Sequence, residues 1–191
     1  MTRQPTLTAA LLGAETGAKR LALILGGSLL IAIAAQISVP MLPVPMTLQT
    51  LAILAVGLTM GARLATAVML TYLAEGAMGL PVFANGGAGL AYMTGPTAGF
   101  LLGFVAMAWL AGWASDRGLT RSFLGAAAVA LVASAALYLP GLAWPALVMG
   151  KTVPELMSGW MLPFLAGDAV KAVLAALIVT GGWAVLRARR G

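Results

Sequence analysis

Long apolar runs, separated by short connections that hold most of the charged residues, dominate this chain of 191 residues. The runs do not alternate apolar and polar positions as the strands of a membrane barrel do. An α-helix needs about 20 residues to cross a bilayer, and most of the runs approach that length. In the fifth run, Pro140 and Gly141 predict a kink or a break in the helix. The pattern predicts six transmembrane helices, at about 18–39, 46–60, 62–80, 98–114, 123–149 and 162–186.

The composition indicates that lipid covers most of the surface. Apolar residues make up 61% and charged residues 8% of the chain, and the mean hydropathy is +1.01. A soluble domain carries about a quarter charged residues because its surface faces water. Only helices and closed barrels satisfy the backbone inside lipid. We therefore predict an all-α integral membrane protein, with a cytoplasmic segment at 1–17, a six-helix membrane domain at 18–187 and a basic cytoplasmic tail at 188–191.

Lysine and arginine are distributed unevenly among the predicted connections. With six crossings, nine of the 11 lie on the side that holds both termini: Arg3, Lys19, Arg20, Arg63, Arg117, Arg121, Arg187, Arg189 and Arg190. The opposite side has only Lys151, and Lys171 lies inside the sixth helix. Cytoplasmic loops carry the excess of these residues, so both termini are predicted to be cytoplasmic and the membrane to be the inner one. The net charge of +6 thus reflects orientation in lipid, and no nucleic-acid partner is predicted.

Two connections on the predicted outer side carry no charge. Residues 40–45 include three prolines, which favour a stiff, extended backbone. Residues 81–96 are rich in glycine and include two aromatic residues. Non-helical backbone near the membrane persists where protein or a cavity covers it. We interpret the two connections as the cover of an outward-facing pocket, and an ordinary surface loop is the alternative.

The residue types present exclude most catalytic chemistry. The chain has no cysteine and no histidine, which excludes cysteine nucleophiles and thiolate metal sites and removes the commonest general base and metal ligand. Residues 149–152 resemble the end of a phosphate-binding loop, but Pro145 stands where its first glycine should be. An intramembrane aspartyl protease needs two aspartates in the membrane, and only Asp168 qualifies. We predict that the protein is not an enzyme and uses no cofactor or metal.

Two ionisable residues stand inside the predicted sixth helix. Asp168 and Lys171 are three residues apart and therefore lie on nearly the same helix face. Ionisable groups in a spanning helix are costly and usually face a cavity or a partner. At 1.5 Å per residue, Asp168 lies about 9 Å from the outer end of the helix at Leu162. The pair predicts a polar ligand site beneath the outer connections; a pair that only neutralises itself and fixes packing is the alternative.

Other polar and small residues in the predicted helices have open interpretations. Gln49 could contact a ligand or form an interhelical hydrogen bond. Glu75 could couple to protons, pair with Lys171 or face a water-filled vestibule. A stripe of small residues, which lets helices approach closely, recurs at a spacing of four in the first helix: Ala18, Ala22 and Gly26.

Four stretches together resemble one family of membrane proteins. They are VPMTLQTL at 44–51, GAMGLPVF at 76–83, GPTAGF at 95–100 and GDAVKA at 167–172. In this order and spacing they are similar to the second-helix start, the third-helix end, the fourth-helix entry and the sixth-helix signature of BioY proteins. These are the biotin-specific S components of energy-coupling-factor (ECF) vitamin transporters. The resemblance covers about residues 18–176.

The resemblance implies a biotin-binding membrane subunit. Such a subunit works with a transmembrane coupling (T) protein and two cytoplasmic ATPases of the ABC type, which agrees with the lack of a nucleotide site in this chain. Asp168 and Lys171 match the polar ligand pair of the family. Asn85, Tyr92 and Gln49 are further implied contacts with the substrate.

Two other positions bear on the resemblance. Ala18 and Ala22 match the small-residue pair that packs against the coupling protein. Glu75 departs from the family pattern, which has an apolar residue there, and its role stays unassigned. The alternative function is a stand-alone, proton-coupled carrier of a small anionic metabolite that uses Glu75 and Asp168. A membrane enzyme or an assembly factor is a further alternative from a different class.

Overall fold

The structure is a computed structural model that describes residues 4–13 and 16–189, and most of these residues are helical. The α-helices are α1 (Leu7–Leu12), α2 (Gly17–Gln36), α3 (Gln49–Met60), α4 (Ala62–Ala77), α5 (Gly89–Met93), α6 (Ala98–Asp116), α7 (Phe123–Met149), α8 (Val153–Glu155) and α9 (Leu162–Ala188). Two short strands, β1 (Ser38–Val39) and β2 (Met46–Thr47), pair antiparallel, with Ser38 opposite Thr47. A 3₁₀ turn spans Ala84–Gly86, and a π-helical turn spans Leu156–Met161 immediately before α9.

Side-chain caps explain where several helices begin. At the start of α2, the Thr16 hydroxyl accepts a hydrogen bond from the backbone N–H of Lys19 at 3.3 Å, and Ser122 caps α7 in the same way. Such caps satisfy N–H groups that the first turn leaves without a helical partner. For α4 the cap comes from the end of α6, where Asp116 Oδ2 accepts from the backbone N–H of Ala62 at 3.2 Å. This bond fixes α6 against the joint between α3 and α4.

The short helix α3 occupies the centre of the bundle. It packs against α2, α4, α6 and α9, while α2 also packs on α4, α6 on α7, and α7 on α9. Ile53, Leu54 and Leu58 of α3 have no exposed surface. With 12 residues, α3 is about 18 Å long and much shorter than the neighbouring α7 and α9. The bundle therefore has room beyond the N-terminal end of α3.

Glycines allow α6 and α7 to approach closely. A methyl group at Gly103 would lie 2.7 Å from Leu137 Cδ1 and 2.9 Å from Pro140 Cγ, and one at Gly99 would overlap the Pro140 carbonyl. The break that the sequence suggests at Pro140 and Gly141 is absent, because α7 runs unbroken through both residues. Close packing against α6 and α9 holds the helix where proline removes a backbone hydrogen bond.

Basic residues from several helix ends meet at one end of the bundle, which we call the basic end. Arg20 and Arg63 line one cavity together with Asp116 and Gln4. Arg121 donates to Gln4 Oε1 at 3.2 Å. The predicted clustering of these arginines on one side is thus confirmed in space. Arg3 and Arg190 lie outside the described residues, as does half of the predicted tail. The opposite end carries the β1–β2 connection and residues 81–97, and we call it the loop end.

The predicted spans agree with the observed helices to within a few residues. α2, α3, α4, α6, α7 and α9 correspond to the six predicted runs in order. α3 begins at Gln49 and not at Met46, because Met46 and Thr47 pair with β1. By length and composition, α2, α6, α7 and the stretch Val153–Ala188 are sufficient to cross a membrane, whereas α3 is a shorter apolar helix. The count of six crossings therefore stays a prediction.

Candidate functional site

A cavity lies at the loop end, above the N-terminal turn of α3. Its empty space, including the mouth, is about 560 Å³, within the range of ordinary ligand pockets. We call it the main cavity, and its lining residues are Val44, Pro45, Met46, Thr47, Gln49, Thr50, Ala84, Tyr92, Thr97, Phe100, Leu101, Phe104, Leu137, Tyr138, Phe164, Asp168 and Lys171. An apolar wall with a small number of polar groups is typical of a site for a small organic molecule.

The polar groups of the main cavity converge on one carboxylate. Lys171 Nζ lies 3.1 Å from Asp168 Oδ1 and donates to Thr50 Oγ1 at 3.0 Å. Thr50 Oγ1 in turn donates to Asp168 Oδ1 at 3.3 Å, and Tyr138 donates to Oδ2 at 2.6 Å. All four residues are buried. Buried charges persist when they are paired and hydrogen-bonded. The structure thus brings Asp168 and Lys171 together inside the bundle, and their role as a ligand site stays a prediction.

Three helices contribute to this cluster. Asp168 and Lys171 lie on one face of α9, Thr50 lies in the first turn of α3, and Tyr138 lies on α7. The N-terminal end of a helix carries partial positive charge, so the first turn of α3 favours a carboxylate at this place. The formal charges of Asp168 and Lys171 cancel, and the cluster as a whole is neutral.

A second polar chain connects the cavity to the loop end. Gln49 Nε2 donates to the Tyr72 hydroxyl at 2.8 Å, and Tyr72 donates to the backbone carbonyl of Val82 at 2.9 Å. Thr47 Oγ1 donates to Gln49 Oε1 at 2.9 Å. Gln49 therefore forms an interhelical hydrogen bond with α4 and also lines the cavity, and its contact with a ligand stays a prediction.

The connection from 81 to 97 is anchored by Phe83. This ring is fully buried, stacks on Tyr92 with centroids 5.0 Å apart and meets Tyr72 edge-on at 5.5 Å. Gly76 of α4 makes room for it, since a methyl group there would overlap the ring. Gln36 of α2 donates to the Phe83 carbonyl at 3.0 Å. The uncharged connection is thus fastened to two helices while Tyr92 faces the cavity.

A second cavity adjoins the first at the loop end, and its empty space, including the part open to solvent, is about 740 Å³. We call it the entrance cavity, and it is lined by Pro43, Pro45, Ala84, Asn85, Gly87, Ala91, Tyr92, Gly95, Pro96 and Thr97. Asn85 belongs to this cavity and not to the main one, and its Oδ1 accepts from Ser38 at 2.8 Å. Tyr92 belongs to both, and burial raises the pKa of its hydroxyl, so the group stays neutral. The two cavities share Pro45, Ala84, Tyr92 and Thr97.

Glu75 lies apart from the cluster. The Ser28 hydroxyl of α2 donates to Glu75 Oε2, and Glu75 lines neither the main nor the entrance cavity. It stands near the C-terminal end of α4, where the helix dipole disfavours a negative charge. Of the three interpretations of Glu75, a pair with Lys171 is wrong, because Lys171 contacts Asp168 and Thr50 instead.

Small residues form an exposed stripe on the outer face of α2. Ala18, Ala22 and Gly26 are all exposed, and nothing lies within 4 Å of a methyl group placed on Gly26. The buried face of this helix, which includes Ser28 and Ile31, is directed to the bundle. The stripe predicted from the sequence is therefore free to receive another helix.

Two polar residues of the cluster were not predicted from the sequence. Thr50 and Tyr138 both bind Asp168, yet hydroxyl groups in predicted helices carry no clear functional signal. For Tyr138 a signal exists, because its phenol stands in a run of alanine, leucine and valine. A buried tyrosine normally requires a hydrogen-bond partner.

Comparison with known proteins identifies the family. A model described as the BioY family matches residues 3–188. The chain belongs to the BioY family. A biotin transporter BioY of Rhizobium etli is 36% identical over 163 residues, covering 80% of this chain and 87% of the relative. A biotin transporter BioY of Thermotoga maritima is 35% identical over 152 residues, covering 78% and 86%.

The fold has a match among solved structures as well. It is similar to the crystal structure of the S-component for biotin from an ECF-type ABC transporter, with a TM-score of 0.77 and 25% identity. The match covers 93% of this chain and 96% of the other. The resemblance found in the sequence is confirmed. As a BioY protein with several apolar helices long enough to span a membrane, the chain is a multi-pass transport protein and not an enzyme.

Proposed function

We propose that this protein captures biotin in the main cavity and acts as the substrate-binding S component of an ECF-type importer. The observation that carries the proposal is the buried Asp168–Lys171 pair, held by Thr50 and Tyr138, in an otherwise apolar cavity. The similarity to BioY transporters and to a biotin S-component supports the choice of ligand and of assembly.

The chemistry of the cavity suits biotin. This ligand has a ureido ring with two N–H donors and one carbonyl, an apolar bicycle and a carboxylate tail. Asp168 accepts hydrogen bonds from the ureido N–H groups, while Lys171 pairs with Asp168 or meets the ligand oxygen. Gln49 and Tyr92 are further contacts with the substrate, and Asn85 is a contact at the entrance. The aromatic and aliphatic wall, with Phe100, Phe104 and Leu137, covers the bicycle.

In the proposed orientation the basic end lies on the cytoplasmic side of the inner membrane, with six crossings and both termini inside. The excess of Lys and Arg at that end supports it. The main cavity then faces outward, beneath the β1–β2 connection and the connection from 81 to 97.

Release on the other side requires partners. Helices α3 and α6 approach at backbone distance below the main cavity, which supports release by reorientation of the whole subunit: a methyl group at Gly57 would lie 3.0 Å from the Ala108 carbonyl oxygen. The exposed stripe with Ala18 and Ala22 packs against the T protein. Two ABC-type ATPases drive reorientation of the subunit, and biotin leaves through the same mouth.

Equilibrium binding of biotin to the detergent-solubilised protein tests the proposal. Wild type should bind tightly, and Asp168→Asn should lower the affinity tenfold or more, about 1.4 kcal/mol, because a buried polar ligand group loses a charged partner. Asp116→Asn is the matched control: this buried carboxylate lies at the basic end, and its loss should leave affinity unchanged. A folded wild-type protein that does not bind biotin would overturn the assignment.

A further inference from the structure

The main cavity and the entrance cavity differ in whether charged side chains line them. Among the described residues that line the main cavity, only Asp168 and Lys171 are charged, and they are paired with each other at 3.1 Å. The described residues that line the entrance cavity include no charged side chain. Among the described residues that line the two cavities, the one cation, Lys171, is therefore already matched by a carboxylate.

Lys171 is committed to groups of the protein itself. Its Nζ donates to Thr50 and to Asp168, and both it and Asp168 are buried. An anionic ligand group brought to Lys171 would also approach Asp168, which has the same sign. A buried anion without a countercharge of its own is expensive, so the electrostatics of the cluster favour a neutral polar group next to it.

The entrance cavity offers the alternative place for an anion. Its empty space, with open solvent included, is about 740 Å³, against about 560 Å³ for the main cavity. The two cavities share Pro45 and Tyr92, so a flexible ligand chain can extend from one to the other. Lys151, a cation on the same side, is paired with Glu155 at 2.9 Å. A carboxylate in this wide cavity keeps its water, and water-mediated contacts cost little affinity.

We propose that the carboxylate of the ligand lies in the entrance cavity, solvated and without a cationic partner, so that the site takes biotin and its neutral carboxyl derivatives alike. This inference rests on the proposed function. The substrate class is then the ureido bicycle with a tail whose end is free to vary: the acid, the methyl ester, the simple amide and the lysine amide. The ring decides recognition, and the charge of the tail does not.

Competition against radiolabelled biotin on the detergent-solubilised protein tests the charge of the tail. The methyl ester and the simple amide should displace biotin with affinities within threefold of biotin itself. A loss of more than tenfold for both would overturn the inference, because it would show that a cation binds the carboxylate. If biotin itself fails to bind, the proposed function fails instead, so the two failures are distinguishable.

The route of the tail is tested by narrowing the entrance. Ala91 is exposed on α5 and lines only the entrance cavity, whereas its neighbour Leu90 is exposed and lines neither cavity. Ala91→Trp should weaken binding of biotinyl-lysine at least fivefold relative to the control Leu90→Trp, while biotin stays within twofold. An Ala91→Trp protein that binds biotinyl-lysine as well as the control does would place the tail elsewhere and contradict the inference.

Discussion

At the scale of single residues, the carboxylate of Asp168 is held on both oxygens. Oδ2 accepts from Tyr138, and Oδ1 accepts from Thr50 and Lys171. A carboxylate has about four lone-pair directions, so these three bonds leave room for a ligand N–H while preventing the group from rotating. Preorganisation of this kind reduces the cost of ordering on binding. Tyr138 is therefore expected to matter although it carries no charge.

Tyr138→Phe should lower biotin affinity by roughly 10- to 100-fold, because a hydrogen bond to a charged group contributes about 1.5–3 kcal/mol. Titration calorimetry in detergent measures the effect, and thermal unfolding checks that the variant is folded. Tyr92→Phe is the control, because Tyr92 lines the same cavity and the bonds to Asp168 come from Thr50, Tyr138 and Lys171 instead. This variant should lose less than about fivefold in affinity. Equal losses in both variants would contradict the role given to Tyr138.

Glu75→Gln tests the alternative of a proton-coupled carrier. The amide oxygen can still accept from Ser28, and the side chain lines neither cavity, so biotin affinity should stay within twofold at pH 6 and at pH 8. Uptake into cells that contain the ATPase partners should also be retained. If the variant instead loses uptake, and the pH dependence of uptake seen in the wild type disappears with it, the result would favour the proton-coupled carrier.

At the scale of secondary-structure elements, the long helices were predictable because hydrophobic length decides them. The fifth run, 123–149, coincides with α7, and the fourth and sixth differ from α6 and α9 by two residues at the C-terminal end. Short elements were not predictable. α1 and α5 have six and five residues, too few for a periodic pattern, and they form because the bundle supplies a surface for them.

The charged residues of the candidate site could be predicted from the sequence, whereas its hydroxyl-bearing residues could not. Asp168 and Lys171 stand out because a spanning helix rarely contains them. Threonine gives no such signal, since its hydroxyl usually bonds back to the preceding turn. Thr59 does so with Ala55 O at 2.6 Å and Thr180 with Ala176 O at 2.7 Å. Thr50 differs only because its helix begins at the cavity, a fact of tertiary structure.

Gly76→Ala should destabilise the protein by about 1–3 kcal/mol, because a methyl group would push Phe83 out of its place against α4. The melting temperature in detergent should fall, and biotin affinity should fall with it as the connection from 81 to 97 shifts. Gly26→Ala is the matched control: it also adds a methyl group to a helix, but in open space, and it should stabilise by up to about 1 kcal/mol. Equal melting temperatures in the two variants would show that Phe83 is not an anchor.

At the scale of the whole molecule, the shortness of the central helix α3 determines where the bundle contains its main cavity. α3 leaves space above its first turn for the main cavity, and α1 packs beneath it against α3 and α9. Leu7 of α1 is buried, and a methyl group at Gly182 of α9 would lie 2.5 Å from it. The main cavity thus lies at the loop end of the bundle, while α1 fills part of the space beneath α3.

A binding cavity at one end of the bundle makes ligand binding a measure of which side of the membrane that end faces. In sealed vesicles with randomly oriented protein, external biotin should titrate half of the sites that detergent reveals, because the other half open into the lumen. The remaining sites should stay inaccessible for as long as biotin does not cross the lipid. A protein that reorients in the membrane without its partners would slowly expose the remaining sites to external biotin. The rate at which these sites fill therefore measures unaided reorientation.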